Sequence, residues 1–275
     1  MNKGFNWVKF FAWLSAAFTL GMLLFIILFI LWNGVPALSL DMFSLKYTTD
    51  NVSMMPAIIS TLIIILIALL IAVPIGVFTG FYLVEYADRD SKFLPIIRLA
   101  TDTLAAVPSI VYGLFGMLFF VSSQRLGLGY SHYAGIFTIT IMILPLIISS
   151  TEEALRSVND SLRMGSLALG AGQLRTIFTV VLPVAMPGIL SGIILAIGRI
   201  VGESAALIYT LGSSGQLLQG LSSSGRTLAV HMYVLSQEGF HVKEAYATAT
   251  ILIVIVLLIN WLSTVISRKL GTGGK

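Results

Sequence analysis

Six long apolar runs, joined by short polar connections, constrain the fold of this chain more than any other feature of its sequence. Of its 275 residues, 57% are hydrophobic and only 10% are charged, whereas soluble domains carry about 25% charged residues. A helix needs about 20 apolar residues to cross a bilayer, and it satisfies its own backbone hydrogen bonds there. We therefore predict an all-α membrane protein with a single transmembrane domain over residues 1–275. The predicted spans are 10–32, 56–85, 93–121, 133–150, 177–211 and 245–266.

The sequence carries none of the patterns typical of an enzyme or a metal protein. It lacks cysteine, which excludes disulfides, iron–sulfur clusters and cysteine-ligated zinc. It also lacks a GxxxxGK phosphate loop, so the chain cannot bind ATP in that way by itself. The histidines His132, His231 and His241 have no metal-ligand spacing and are predicted to be surface residues. We therefore expect no catalytic residue, metal site or cofactor. We also expect no nucleic-acid binding, because membrane topology explains the basic residues.

The basic residues divide unequally between the two sides of the predicted membrane domain. Positive charge is retained in cytoplasmic segments, and an inside N-terminus places eleven of the sixteen Lys and Arg residues in the cytoplasm. These eleven are Lys3, Lys9, Arg89, Lys92, Arg98, Arg156, Arg163, Arg175, Arg268, Lys269 and Lys275. The outer segments hold Lys46, Arg125, Arg226 and Lys243, and Arg199 is left within an apolar run. We predict six spans with both termini in the cytoplasm.

Arg199 and Glu203 lie near the end of the fifth apolar run, where a charge is costly. A charged side chain at the centre of a bilayer costs roughly 2.5–3.5 kcal/mol and normally has a partner or faces water. Two side chains four residues apart on a helix share a face. One interpretation is that the pair neutralises itself and holds two helices together. The interpretation we favour is a substrate pathway, in which Arg199 offers positive potential and forked donors to an anion while Glu203 orients it.

The fifth run is 35 residues long, which exceeds the about 20 residues that a span requires. Pro183 and Pro187 are expected to bend or break it. Small residues four apart allow helices to approach closely, and the run contains two such pairs. We predict helix packing for Gly188, Gly192, Gly198 and Gly202. The second run contains Pro74 and a similar pair, Gly76 and Gly80.

Two further segments are predicted to lie near the membrane surface. Arg98 and Asp102, four residues apart at the start of the third run, are expected to form an interfacial ion pair. The segment 227–237, TLAVHMYVLSQ, is polar enough to be at best a surface helix.

The inner connection of about 27 residues between spans four and five is too apolar for a merely solvated loop. Leu155, Val158, Leu162, Leu167 and Leu169 recur in it with a helical period. One interpretation is an amphipathic helix that lies on the membrane interface. The other is a docking element for a cytoplasmic partner.

This connection resembles the cytoplasmic signature of the membrane subunits of binding-protein-dependent ABC importers. The signature is EAA, three residues, glycine, nine residues and then Ile-x-Leu-Pro. Gly170 matches the glycine and 180–183, VVLP, matches the end, whereas 164–166, MGS, replaces EAA. The segments PSIVYGLFG at 108–116, ILAIGRIVGESAALIYT at 194–210 and NWLSTVISRKL near the C-terminus are similar to the PstA-type branch of the family, which serves phosphate importers.

The resemblance implies a type I importer permease with six transmembrane helices and a coupling helix between spans four and five. Its implied partners are a PstC-type second permease, two cytoplasmic ATPase subunits and an external phosphate-binding protein, assembled in the lipid of the bacterial cytoplasmic membrane. The family's charged pathway pair falls on Arg199 and Glu203. The implied ATPase docking residues are Met164, Gly165, Ser166, Leu167, Ala168, Leu169, Gly170, Ala171 and Gly172.

These observations predict a permease that moves inorganic phosphate by alternating access and is itself not an enzyme. Three alternatives stay open at this stage. The first is an importer of another oxyanion, such as molybdate or sulfate. The second is a secondary phosphate transporter or channel that works without ATP, and the third is a structural membrane subunit in which Arg199 and Glu203 only pack.

Overall fold

A computed structural model describes residues 7–88, 92–124 and 126–271, without the side chains of 266–271. The described residues form helices and their connecting loops, and no strand occurs among them. The helices are α1 (Trp7–Gly34), α2 (Met55–Phe81), α3 (Phe93–Ala106), α4 (Ser109–Gly116), α5 (His132–Arg156), α6 (Asp160–Ala168), α7 (Gln173–Thr176), α8 (Leu182–Val201), α9 (Ala205–Thr210), α10 (Leu228–Glu238) and α11 (Val242–Gly271). π-helical turns extend α2 over Tyr82–Tyr86 and α4 over Met117–Val121, and Ile177–Val181 joins α7 to α8.

Five helical segments of the described residues are long and apolar enough to cross a membrane, and a bent pair, α3 with α4, makes a sixth. This confirms the all-α membrane fold. Of the basic residues used to predict topology, Lys3, Arg89, Arg125 and Lys275 lie outside the described residues, as do the side chains of Arg268 and Lys269.

Helix α5 is the centre of the domain and packs against α2, α3, α4, α8 and α9. Its fully buried Ile139, Met142, Ile143 and Ile147 form a core with side chains of α2, α8 and α9. The predicted close packing at Gly76 and Gly80 is confirmed, because α5 leaves no room for a side chain there. A Cβ atom at Gly76 would lie 2.7 Å from Ile147 Cγ2, and one at Gly80 would lie 2.6 Å from Thr151 Cγ2.

The third span bends by 97° between α3 and α4. Val107 has an extended backbone, with ψ at 130°, because the ring of Pro108 disfavours the helical conformation for the residue before it. The Tyr112 hydroxyl donates a hydrogen bond to the Leu104 carbonyl oxygen at 2.8 Å and so ties the two halves together. The predicted Arg98–Asp102 pair is wrong. Arg98 instead lies 2.7 Å from a Glu152 oxygen on α5.

The fifth predicted span breaks at a different place from the one expected. The helical path continues from Gln173 to Val201 through both Pro183 and Pro187, and it stops at 202–204. The π-helical turn Ile177–Val181 precedes Pro183, so this proline follows a point where the regular ladder of hydrogen bonds is already interrupted. The prolines therefore do not break this span.

The segment 227–237 is more buried than its polarity predicted. Helix α10 buries Leu228, Val230 and Leu235 against neighbouring helices, so the surface-helix prediction is wrong. His132 and His231 are also fully buried, in contrast to the predicted surface positions. The His132 ring lies 3.0 Å from Ser60 Oγ and 2.8 Å from the Ser223 carbonyl oxygen, which explains how a polar ring is accommodated there.

Candidate functional site

The segment predicted to dock a partner forms two short helices joined by a tight turn. The Asn159 side chain caps α6 by accepting a hydrogen bond from the Ser161 amide at 3.0 Å. Gly170 ends the α6 turn with φ at +84°, a left-handed conformation that favours glycine. The Ser166 and Thr176 hydroxyls, 2.9 Å apart, connect α6 to the end of α7. Met164 to Gly172 thus form a defined projection between α5 and α8.

Arg163 holds this projection against the end of α2. Its guanidinium donates two hydrogen bonds to Glu85 Oε1, at 2.8 and 3.1 Å. It also donates to the carbonyl oxygens of Leu155 and Val158, each at 2.7 Å. The Gln173 side chain donates to the Glu85 carbonyl oxygen at 2.8 Å. Both side chains of the Arg163–Glu85 pair are largely enclosed, with 15% and 9% exposure, so the pair fixes α6 to α2 and α5.

Large apolar side chains of the projection face outward. Leu169 is 91% exposed and Met164 is 67% exposed, and three more leucines of α6 and α7 are exposed, namely Leu162, Leu167 and Leu174. Contiguous exposed apolar surface rimmed by polar groups marks interaction sites. The arrangement suits a partner protein that covers these side chains.

Arg199 lies in the last turn of α8 and lines an open groove of about 1110 Å³ between α5, α8 and α11. The described residues offer it no ion pair and no hydrogen bond. The same groove is lined by the carboxylate of Glu153, by polar residues such as Ser150, Ser191 and Asn260, and by apolar residues such as Leu146 and Leu195. It therefore presents a guanidinium without an ion pair, hydroxyl and amide groups that can donate hydrogen bonds, and one carboxylate on α5.

Glu203 does not form the predicted helical pair with Arg199. Helix α8 ends at Val201, so Glu203 lies in the break and is not on the Arg199 face of a continuous helix. Its side chain is buried, and its Oε1 atom accepts a hydrogen bond from the Ala206 amide at 2.9 Å. A carboxylate in this position stabilises the first turn of α9. No bond in the described residues joins Glu203 to Arg199, so Glu203 does not orient it directly in this structure.

The four glycines of α8 and its end have different surroundings. A Cβ atom at Gly188 would lie 2.7 Å from Ala154 Cβ on α5, and one at Gly192 would overlap the Ser150 side chain. Among the described residues, no atom outside its own helix lies within 4 Å of the Cβ position of Gly198, and the Cβ position of Gly202 meets the Gly198 carbonyl oxygen at 3.7 Å and no other such atom. Close packing within this chain therefore involves only the first pair.

Sequence reasoning missed Glu85 as a part of the projection, and it missed the hydrogen bond by which Tyr112 ties α3 to α4. Glu85 is 78 residues away from Arg163, and no local pattern connects the two positions. Tyr112 lies within PSIVYGLFG, a segment identified only by resemblance. The described residues contain no group of three or more His, Asp or Glu side chains that could hold a metal ion.

The chain is similar in sequence to a known family of membrane proteins. A family model described as "Binding-protein-dependent transport system inner membrane component" matches residues 72–272. The chain belongs to this family. The resemblance seen at Gly170 and 180–183 is thereby confirmed for the family, whose members are transport components of the inner membrane.

Two curated members of the family match most of the chain. Over 280 residues the chain is 34% identical to the "Probable ABC transporter permease protein YqgI" of Bacillus subtilis (strain 168), with 94% of each protein covered. Over 253 residues it is 32% identical to the "Phosphate transport system permease protein PstA" of Haemophilus influenzae, covering 90% of this chain and 88% of that protein.

Two solved structures of ABC transporters share the fold. A bacterial alginate transporter, solved in complex with an alginate-bound periplasmic protein, matches with a TM-score of 0.67 at 14% identity, covering 98% of this chain and 99% of that chain. The inward-facing MetNI methionine transporter matches with a TM-score of 0.59 at 19% identity, covering 78% and 93%. The permease therefore has the fold of type I ABC importers.

Proposed function

We propose that this permease carries inorganic phosphate into the cytoplasm by alternating access, as one subunit of an ATP-driven importer. The similarity to PstA supports phosphate as the anion. A second relative carries only a general permease name, so the identity of the anion is the part of the proposal that most needs a test.

The observation that carries this proposal is the environment of Arg199. A guanidinium at the end of an apolar helix is retained where it serves a pathway or has a partner. No described residue forms an ion pair with Arg199, although Glu153 lines the same groove. The guanidinium faces the groove, where an oxyanion can accept its forked donors. Because an anion has to leave again, the site binds it weakly and briefly.

The projection of α6 and α7 is proposed to dock an ATPase subunit. Its exposed apolar side chains supply the contact, and the Arg163–Glu85 pair transmits displacement of the projection to α2 and α5. Helix α7 continues through the π-helical turn into α8, which carries Arg199. Movement of the ATPase on ATP hydrolysis would be transmitted to the groove by two routes, through the Arg163–Glu85 pair and along α7 into α8.

The remaining partners and the orientation follow from the same proposal. A PstC-type permease would complete the groove, two ATPase subunits would bind in the cytoplasm, and an external phosphate-binding protein would deliver the anion. The projection then lies inside, together with both termini. A secondary transporter that works without ATP has no use for such a projection, which is why we favour the ATP-driven importer.

Uptake of radiolabelled anions by the complete complex in vesicles tests the proposal. We expect ATP-dependent uptake of phosphate, and at most weak uptake of sulfate and molybdate. The Arg199→Gln variant should lose at least about tenfold of this uptake, because hydrogen bonds to a charged donor contribute roughly 1.5–3 kcal/mol. Arg199→Lys keeps the positive charge but lacks the paired N–H donors of the guanidinium, so it should retain part of the uptake.

The controls separate transport from assembly. Both variants should reach the membrane and bind their partners at normal levels. Full uptake by Arg199→Gln would exclude the pathway role and leave only packing. Uptake without ATP would indicate a secondary transporter, and a preference for sulfate or molybdate would reassign the anion.

A further inference from the structure

The groove that contains Arg199 also contains a carboxylate that the proposed function does not use. Glu153 of α5 is exposed and lines the same groove of about 1110 Å³. No ion pair joins the two side chains. The groove therefore holds a positive and a negative charge that do not neutralise each other by contact.

The packing of α5 against α8 shows how far apart the two charges lie. A Cβ atom at Gly188 would lie 2.7 Å from Ala154 Cβ, and one at Gly192 would overlap the Ser150 side chain. Later residues of α8 thus meet earlier residues of α5, so the two helices are antiparallel. Arg199 lies eleven residues beyond Gly188, whereas the carboxylate lies beside Ala154, so about ten residues or roughly 15 Å of helix axis separate the two. The carboxylate occupies the end of the groove nearest the α6–α7 projection.

Two arginines lie near Glu153, but both are engaged by another acid. Arg98 and Arg156 line a neighbouring cavity together with Glu153, and they form ion pairs with Glu152 at 2.7 and 2.8 Å. Asp102 lines the same cavity. Glu153 itself forms no ion pair in the described part of the chain. Three acids thus face two arginines at this end of the groove, and the surplus charge is negative.

We propose that Glu153 weakens the hold of the groove on the anion and opposes the return of the anion from the cytoplasm. This inference rests on the proposed function, which places the projection inside and the anion at Arg199. A carboxylate repels the phosphate that the guanidinium attracts, and charges in a groove are screened less than charges on an open surface. A transport site has to bind its ion weakly enough to release it. A negative charge at the inner end supplies this weakness on the side where the anion is released.

Inhibition of uptake by internal phosphate tests this role. The complete importer is reconstituted in vesicles with ATP and unlabelled phosphate inside, and with the external binding protein and radiolabelled phosphate outside. Internal phosphate should inhibit Glu153→Gln at a concentration about fivefold lower than the wild type. A unit charge about 15 Å away has an effect of this size at an effective dielectric constant of about 20.

Direct binding provides a second measurement. Equilibrium binding of radiolabelled phosphate to the purified complex, without ATP and without the external binding protein, should tighten by a similar factor in Glu153→Gln. This tighter binding should be lost when Arg199→Gln is added, because the guanidinium holds the anion.

Three further variants separate the charge from other effects of the substitution. Glu153→Asp keeps the charge and should behave like the wild type. Ser157 lines the same groove about one helical turn further along α5, so Ser157→Asp added to Glu153→Gln should restore most of the wild-type response. Asp160 is 72% exposed and does not line the groove, so Asp160→Asn should leave the inhibition unchanged.

Equal inhibition of the wild type and Glu153→Gln by internal phosphate would overturn the proposal. Weaker phosphate binding by Glu153→Gln would also overturn it, because the carboxylate would then help to hold the anion. The proposed function would fail in a different way. In that case the wild-type complex would take up no phosphate with ATP, or it would bind phosphate equally with and without Arg199→Gln.

Discussion

At the residue scale, the buried histidine of α10 is placed where protonation is unfavourable. Burial of His231, together with the positive charge of Arg226, lowers its pKa from 6.5 to about 3, although the Val52 backbone opposes the shift. The folded protein therefore keeps this ring neutral at pH values where the unfolded chain binds a proton. Because the unfolded state then binds more protons, the free energy of unfolding falls as the pH drops below 6.5 and continues to fall towards pH 3.

This linkage predicts a measurable loss of stability in mild acid. At pH 5 the His231 contribution amounts to about 2 kcal/mol relative to pH 7. Replacing the ring with one that cannot titrate, His231→Phe, should make thermal unfolding in detergent less sensitive to pH between 7 and 5. His241→Phe serves as the matched control at a partly exposed histidine and should keep the wild-type sensitivity. Identical pH profiles for wild type and His231→Phe would contradict this assignment.

The sequence predicted His231 at the surface because local polarity does not show which distant residues pack around a side chain. The same reason explains the wrong prediction for His132. A polar residue in a mildly polar segment gives no sign of what the rest of the chain packs around it. His132 is buried by Ser60 and Ser223, which lie 72 and 91 residues away. Arg199 was identified because the apolar run around it made its charge conspicuous. The hydrogen bond from the Ala206 amide to Glu203 was missed because it depends on the end of α8 at Val201, which the sequence pattern did not show.

At the element scale, the apolar runs predicted the helices well and their interruptions poorly. Length and hydropathy decide whether a segment can cross a bilayer, and each of the six predicted runs corresponds to a helix or a bent helix pair. Prolines, in contrast, are tolerated in membrane helices, so Pro183 and Pro187 gave a misleading position for the break. The interruption at 202–204 combines a glycine with the capping carboxylate of Glu203, which composition alone does not reveal.

The Arg163–Glu85 pair connects elements that the sequence keeps apart, and it predicts how the projection is held. Glu85→Gln removes the charge of an enclosed partner but keeps an acceptor oxygen, so we expect a loss of about 1.5–3 kcal/mol at this contact. The α6–α7 projection should then become more sensitive to limited proteolysis. ATP-driven uptake should fall more than binding of the ATPase does, because transmission to α2 is weakened.

Asp160→Asn is the matched control for this pair. Asp160 also lies 3.1 Å from the Arg163 guanidinium, but its side chain is 72% exposed. An exposed ion pair contributes roughly 0–1 kcal/mol, so this substitution should change proteolysis and uptake little. Equal effects of Glu85→Gln and Asp160→Asn would show that the enclosed pair has no special part in coupling.

At the scale of the whole molecule, the groove beside Arg199 is open along one side. Helix α8 closes on α5 at Gly188 and Gly192, whereas no atom of a neighbouring helix among the described residues lies within 4 Å of the Cβ position of Gly198. Small residues allow two membrane helices to approach closely, so a bare glycine next to an open groove suits contact with another permease. This geometry accords with the proposed heterodimer, in which the anion would cross between the two permeases.

Leucine substitutions at the two kinds of glycine distinguish packing within the chain from packing between chains. Gly198→Leu has room in the isolated permease, so its thermal unfolding should stay close to wild type, while the second permease should co-purify much less. Gly192→Leu overlaps the Ser150 side chain and should lower the stability of the permease itself, by about 1–3 kcal/mol for an overpacked site. Co-purification that survives Gly198→Leu, with uptake intact, would place the partner elsewhere, because a leucine at a close helix contact forces the two helices apart.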